Sequence, residues 1–418
     1  MKESRRTFCL GLPATMMAWP LDAAATESGA SPLDAQSRCA GLLWGTLLGD
    51  AMGGPLEFAA PEKRSGRVVD CRAWPKSKRL DHTTLDEVRG QATLMSYEDV
   101  RPDTAAYGQW TSKSPAGTLT DDSRLKIILI RAFRRAAKAG SEIPRQEDIA
   151  REILDFTPYP NHSPDKPTAK LLEEGMREYR YAARWILGER GRPKAFPLER
   201  LWAGVPNCSG QMMLLPLALW FAGQPEQAYD ASYFLNFVDA PEAKDITSAI
   251  IAGLASVLGQ DMNSATHQQR WAKIEDTMRS LDPFRYRDVP FVGRPMEQWL
   301  DLSDSILERA EGRPAVAYRL LETEGKPVYF WDSHFTLLVA FTLLKLTDCD
   351  AMASLSLAID FGHDTDSYAQ LIGAIAGAVS GTEVFPAMMR ETVAARLRHD
   401  FDEEVDDWMR LLTTKTLG

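Results

Sequence analysis

Two short stretches carry the side chains best suited to chemistry. Gly362–His363–Asp364–Thr365–Asp366–Ser367 places two carboxylates and two hydroxyls in four consecutive residues, just before a glycine-spaced run from Leu371 to Gly381. Thr120–Asp121–Asp122–Ser123 repeats that set and opens a long apolar-periodic segment. An Asp-x-Asp with flanking hydroxyls offers only oxygen donors, which suit Mg²⁺, Mn²⁺ or Ca²⁺ rather than Zn²⁺. Acidic residues in a first helical turn also serve simply as partners of the helix dipole. The repetition of one chemistry at two helix starts is what points to a single site assembled from both ends of the chain.

The elements that must position these residues are read from local patterning. Thr120 is a good N-cap, and Leu125, Ile128, Leu129, Ala132 and Phe133 make an apolar stripe that predicts a helix ending at Gly140. From Ala40 to Gly54, Leu43, Leu47 and Leu48 mark another helix, with Gly41, Gly45 and Gly49 four apart. Glycine inside a helix costs about 1 kcal/mol against alanine, so three in one stripe imply a helix packed close against it. Glu57 follows in a turn, where a lone glutamate reads as solvated surface. Asn207–Cys208–Ser209–Gly210 forms a turn before an apolar helix expected over Gln211–Ala222, whose Pro216 sits in its first turns or kinks it. Asp239–Ala240–Pro241–Glu242 starts a further helix, and Trp331–Lys345 is strongly apolar, its His334 reading as a core histidine. No strand-like alternation and no internal repeat occurs, so the expected fold is a single large all-α domain.

Residues 59–116 form a long, weakly periodic insertion with a basic patch (Lys76, Lys78, Arg79). That patch reads as solvated surface or as part of a lid over an anionic ligand. The chain has 418 residues, 44% apolar and 25% charged, ordinary for a globular protein. Its formal charge of −10 argues against a general nucleic-acid or anionic-membrane binder. No apolar run is long enough to span a bilayer. Ser4–Arg5–Arg6–Thr7–Phe8–Cys9–Leu10, an apolar stretch and Ala23–Ala24–Ala25 resemble a twin-arginine export signal over residues 1–25. The expected destination is the periplasm, with 26–38 as linker and 39–418 as the domain. Cys39, Cys71, Cys208 and Cys349 would remain, with pairing or free thiols both open and no C-x-x-C spacing for zinc.

Together, four blocks resemble the ADP-ribosylglycohydrolases, the family of the dinitrogenase reductase-activating glycohydrolase and of the ADP-ribosyl-arginine and ADP-ribosyl-serine hydrolases. They are Gly45–Phe58, Thr120–Ser123, Met212–Leu217, and Gly362–Ser367 with Gly373, Gly377 and Gly381, in the family's order. The resemblance implies an all-α fold with a central two-metal cleft holding two Mg²⁺, or Mn²⁺. It implies Thr120, Asp121, Asp122, Asp364, Asp366 and Ser367 as metal residues, and Glu57 and Asp122 as catalytic ones. Substrate contacts are expected at Gly362, His363 and Ser209. The implied reaction is hydrolysis at ribose C1 of ADP-ribosylated side chains or small ADP-ribosyl compounds, by a chain expected to act as a monomer. A hydrolase for another nucleoside-like riboside and a non-catalytic ADP-ribose binder are the alternatives. Three positions depart from the family pattern: Ser367 replaces the usual threonine, His363 a frequent glycine and Met213 a common arginine. The last bears on how, or whether, an adenine nucleotide is held.

Overall fold

The computed structural model describes residues 33–101, 113–157 and 166–414; the expected export signal, most of the expected linker and residues 102–112 of the insertion lie outside the described residues. The helices that bear on the site are α1 (Ala35–Gly53), α2 (Asp121–Lys138), α3 (Lys166–Ile186), α4 (Ser209–Leu214), α5 (Pro241–Leu258), α6 (Ser333–Leu346), α7 (Ala351–Phe361) and α8 (Thr365–Ser380). Among the described residues there is no strand, only an isolated antiparallel bridge between Asn207 and Asp332. The all-α expectation holds.

The glycine stripes fix the centre. α8 is buried on nearly every face and packs against α1, α4, α5, α6 and α7. Gly45 of α1 lies against the backbone of Gly373 in α8, Gly41 against Gly377, and Gly49 against Ala369; a Cβ at Gly45 would lie well inside 3 Å of the Gly373 carbonyl. Register is set by two hydrogen bonds across the pair. The Thr46 hydroxyl donates to Gln370 Oε1 (2.8 Å), and the Thr365 hydroxyl donates to the Gly53 carbonyl (2.7 Å). The start of α8 therefore sits beside the end of α1, so Asp364 and Asp366 come next to the turn that carries Glu57.

Three local expectations are corrected. α1 begins at Ala35, capped by Asp34 accepting from the Ser37 amide (2.6 Å), so Ala35–Arg38 belongs to a helix rather than to a linker. Arg38 is buried and bonds the carbonyls of Val257 (2.8 Å) and Gly259 (2.6 Å) at the end of α5. The helix expected over Gln211–Ala222 is divided into α4 and a short helix Leu217–Trp220, because Pro216 between them has no N–H for the ladder. The described part of the insertion is a string of short helices, of which His82–Gly90 packs on α7. Lys78 pairs with Glu87 (3.0 Å) and Arg79 with Glu311 (2.7 Å), so two of the three cations of the basic patch are ion-paired at the surface. Cys39, Cys71, Cys208 and Cys349 are all free and buried.

Candidate functional site

After α1 the chain turns through Gly54–Leu56 into Glu57. Arg101 holds this turn, donating to the carbonyls of Pro55 (2.8 Å) and Glu57. The Phe58 amide donates to the His363 carbonyl (2.7 Å), tying the turn to the segment before α8. Asp364 is the residue before α8 and Asp366 lies in its first turn. The other half-site stands at the start of α2, where Thr120 caps the helix through the Asp122 amide (3.3 Å). Asp50, buried in α1, receives the Thr120 amide (3.1 Å), the Thr120 hydroxyl (2.6 Å) and the Ser123 hydroxyl, and so locks α2 onto α1.

The two halves meet. Carboxylate oxygens of Glu57, Asp364 and Asp366 lie within 4.8 Å of one another, as do those of Asp121, Asp122 and Asp366, with Asp366 common to both groups. The Ser367 hydroxyl donates to Asp122 Oδ2 (3.3 Å), while Asp122 Oδ1 is buried without a hydrogen-bond partner. An orphaned carboxylate oxygen costs free energy unless something occupies it.

Burial raises all of these acids, and their mutual repulsion adds to it. Burial, then the neighbouring Asp364 and Asp121, hold Glu57 well above the usual carboxylate range. Burial does the same to Asp366, helped by Glu57 and Asp122, and pushes Asp364 up to about 7. Asp122 is raised by burial and opposed chiefly by Lys126, a buried lysine whose Nζ donates to the Asp122 carbonyl (3.0 Å). One buried ammonium cannot balance so many acids. A divalent cation at each group of oxygens is the charge that fits this donor set.

The carboxylates line a cavity of roughly 650 Å³, counting the mouth that opens to solvent. Its walls include Phe58, Tyr179, Trp202, Trp331, Asn207, Cys208, Ser209 and Met212. Ser209 exchanges a hydrogen bond with Tyr179 (2.7 Å), so that expected substrate contact does face the cavity. Gly362 and His363 do not. The His363 ring stacks on Phe330 (3.7 Å between centroids), and its Nε2 pairs with Glu322 (3.0 Å). A side chain at Gly362, whose φ is +88°, would strike Arg64, which bonds the carbonyls ending α7. Of the stretch before α8, then, Asp364 reaches the cavity, whereas the His363 ring is held by Phe330 and Glu322. Thr120 also stands back from the cavity lining, its hydroxyl given to Asp50. Met213 is packed in the core, and the methionine facing the cavity is Met212. No described residue of the 59–116 insertion lines the cavity, so its described parts form no lid.

The sequence profile of the ADP-ribosylglycohydrolases matches residues 31–416, nearly the whole chain. The chain belongs to the ADP-ribosylglycohydrolase family. Among curated relatives, the uncharacterized protein YegU of Escherichia coli (strain K12) is 23% identical over 371 residues, which is 87% of this chain and 94% of that one. A solved structure described as an ADP-ribosylglycohydrolase-related protein complex aligns with a TM-score of 0.51 at 16% identity, covering 92% of this chain and 99% of that one, a likeness of fold. Family membership makes a glycohydrolase-type activity the framework for the cavity.

Several functional neighbours escaped sequence reasoning. Asp50 had a signal: it is the one charge inside an otherwise apolar helical run, where an acid survives only if it is bonded. Lys126 stands four residues after Asp122, the spacing of a helical pair. Arg101, Tyr179, Trp202 and Trp331 gave none, since only folding brings them to the cavity.

Proposed function

We propose that the protein is a divalent-metal-dependent glycohydrolase that cleaves the bond at C1 of a ribosyl group, with ADP-ribosylated side chains and small ADP-ribosyl compounds as the substrates its family name brings first. One observation carries the reading: the five-carboxylate cavity, in which the buried Asp122 Oδ1 has no partner. Asp121, Asp122, Asp364 and Asp366, with the Ser367 hydroxyl, are the residues that would hold two Mg²⁺, or Mn²⁺. When bound, such cations supply Lewis acidity and the positive charge that keeps neighbouring carboxylates ionised.

The chain's own groups then have definable tasks. Cleavage at C1 passes through a state with oxocarbenium character, which a carboxylate-lined cavity stabilises electrostatically. Glu57, half-buried at the cavity wall, is placed to take a proton from a water approaching C1. Asp122, held by Ser367, orients the opposite side of the same space. Asn207 and Ser209 offer polar atoms to the ribose hydroxyls from α4 and the turn before it.

The test is a turnover assay of the purified protein with Mg²⁺ against arginine-, serine- and O-acetyl-linked ADP-ribose, together with phosphate-free ribosides. Asp121→Ala and Asp364→Ala are expected to abolish both turnover and Mg²⁺ binding by calorimetry. Full activity after exhaustive chelation, or in either variant, would overturn the metal reading. Tight binding of ADP-ribose without turnover would make the protein a binder.

A further inference from the structure

Cys208 places a thiol among the oxygen donors of the cavity, and on the reading of that cavity as a divalent-cation site the thiol decides which cations compete for it. No Cys-x-x-Cys pair occurs in the chain, and the two acidic clusters offer oxygen alone. Folding adds sulfur from a third stretch. Cys208, the residue before α4, is 2% exposed and lines the cavity together with Asp121, Asp122, Asp364, Asp366 and Ser367. Its thiol donates to the Ser367 hydroxyl (3.5 Å) and stands 4.0 Å from Asp364 Oδ2. The Ser367 hydroxyl in turn donates to Asp122 Oδ2 (3.3 Å). Asp122 is itself 1% exposed, and its Oδ1 has no hydrogen-bond partner. A free thiol and an open carboxylate oxygen thus share one cavity, linked through Ser367.

The spacing suits a small thiophilic cation. A tetrahedral Zn²⁺ with sulfur at about 2.3 Å and oxygen at about 2.0 Å holds the two ligand atoms about 3.5 Å apart. Cys208 and Ser367 already stand at that separation, and Asp364 Oδ2 is about half an ångström farther from the sulfur. Mg²⁺ takes oxygen ligands in near-ideal octahedral geometry and leaves a thiol aside. A soft ligand reverses the preference, toward Zn²⁺ and its heavier congener Cd²⁺. Asp364 and Ser367 serve either ion, so a cation drawn in by the sulfur takes oxygens that Mg²⁺ needs. Among the described residues lining the cavity, Cys208 is the only cysteine.

We propose that Cys208, Asp364 and the Ser367 hydroxyl form an inhibitory site for a thiophilic divalent cation, which overlaps the Mg²⁺ site and closes the hydrolase by taking its oxygens. Zn²⁺ is the ion the geometry fits, and Cd²⁺ is its spectroscopic substitute. As the sulfur–cation bond forms, the S–H bond breaks and its proton goes to solvent, with no change of oxidation state.

The experiment titrates Cd²⁺ into the metal-free full chain and follows the ultraviolet charge-transfer band of a sulfur–Cd²⁺ bond. A single equivalent of Cd²⁺ is expected to saturate the band, and prior addition of Zn²⁺ to prevent it. Cys208→Ser and Cys208→Ala are expected to abolish the band and to weaken Zn²⁺ binding by calorimetry at least about tenfold, whereas Cys9→Ser leaves both unchanged. Thermal melts establish that the variants are folded. In the natural chain, an equivalent of Zn²⁺ is expected to weaken Mg²⁺ binding at least about tenfold and to suppress Mg²⁺-dependent turnover, a readout that needs no variant. A band absent from the natural chain, or kept in a folded Cys208 variant, would overturn the thiol site. Mg²⁺ binding indifferent to Zn²⁺ would overturn the overlap. Mg²⁺ binding without a Cd²⁺ band would leave the metal-dependent glycohydrolase standing alone, and a Cd²⁺ band without Mg²⁺ binding would overturn that reading and leave the thiol site.

Discussion

Asp50 shows how a residue that touches no cavity can govern the site. Its carboxylate collects the donors of Thr120 and Ser123 and so fixes where Asp121 and Asp122 point. Asp50→Asn keeps the shape and removes the charge; Mg²⁺ affinity measured by calorimetry is expected to fall about 10–100-fold, the usual size of an outer-shell loss. Titration of the acids gives a second outcome. Burial raises Asp364 from its ordinary 3.8 to about 7, so the folded, metal-free chain binds a proton there more tightly than the unfolded chain does. Stability of the metal-free protein should accordingly fall as pH rises from about 4 to about 7. Saturating Mg²⁺ should cancel that fall, and Mg²⁺ affinity should itself rise over the same interval, because cation and proton compete for the same oxygens. Thermal melts across that range, with and without the cation, check all three signs.

The α1–α8 pair is the element on which the geometry depends. Its backbones touch because Gly41, Gly45, Gly373 and Gly377 present no side chain at the contact. Gly45→Ala places a methyl against the Gly373 carbonyl, and backbone cannot yield as a flexible side chain would. Overpacking of this kind costs about 1–3 kcal/mol or more, and it also shifts the start of α8 away from Glu57. The expected outcome is a lower denaturant midpoint together with a Mg²⁺ affinity weakened beyond what stability alone explains. Gly66→Ala supplies a contrast, because nothing lies within 4 Å of its added Cβ. Its φ of +73° confines any cost to local backbone strain, and the metal isotherm should not move.

At the scale of the whole molecule, an all-α chain binds both ends of its sequence into one cavity. No helix among the described residues is long and apolar enough to cross a membrane. We propose that residues 1–25 direct export of the folded enzyme, on the pattern Ser4–Arg5–Arg6–Thr7–Phe8–Cys9–Leu10. Replacing both Arg5 and Arg6 by lysine is expected to abolish export of the full chain, read by fractionation of the host cell. Periplasmic recovery equal to that of the natural sequence would remove this assignment.

The sequence by itself determined the helix after Thr120, that cap and the stripe of glycines, because those depend on period and on neighbours a few positions away. It also determined which acids could act together, since Thr120–Asp122 and Asp364–Ser367 carry their chemistry within a few residues. Tertiary structure alone decided which of them face the cavity. By its local pattern Glu57 reads as a solvated turn, and only the family resemblance marks it; Arg101 and the His363 carbonyl hold that turn beside Asp364 and Asp366. His363 sits within the motif, yet its ring turns to Phe330 and Glu322. The aromatic wall joins residues from four separate stretches of the chain, Phe58, Tyr179, Trp202 and Trp331. No local pattern records that meeting, because contacts between distant segments are fixed by packing rather than by propensity.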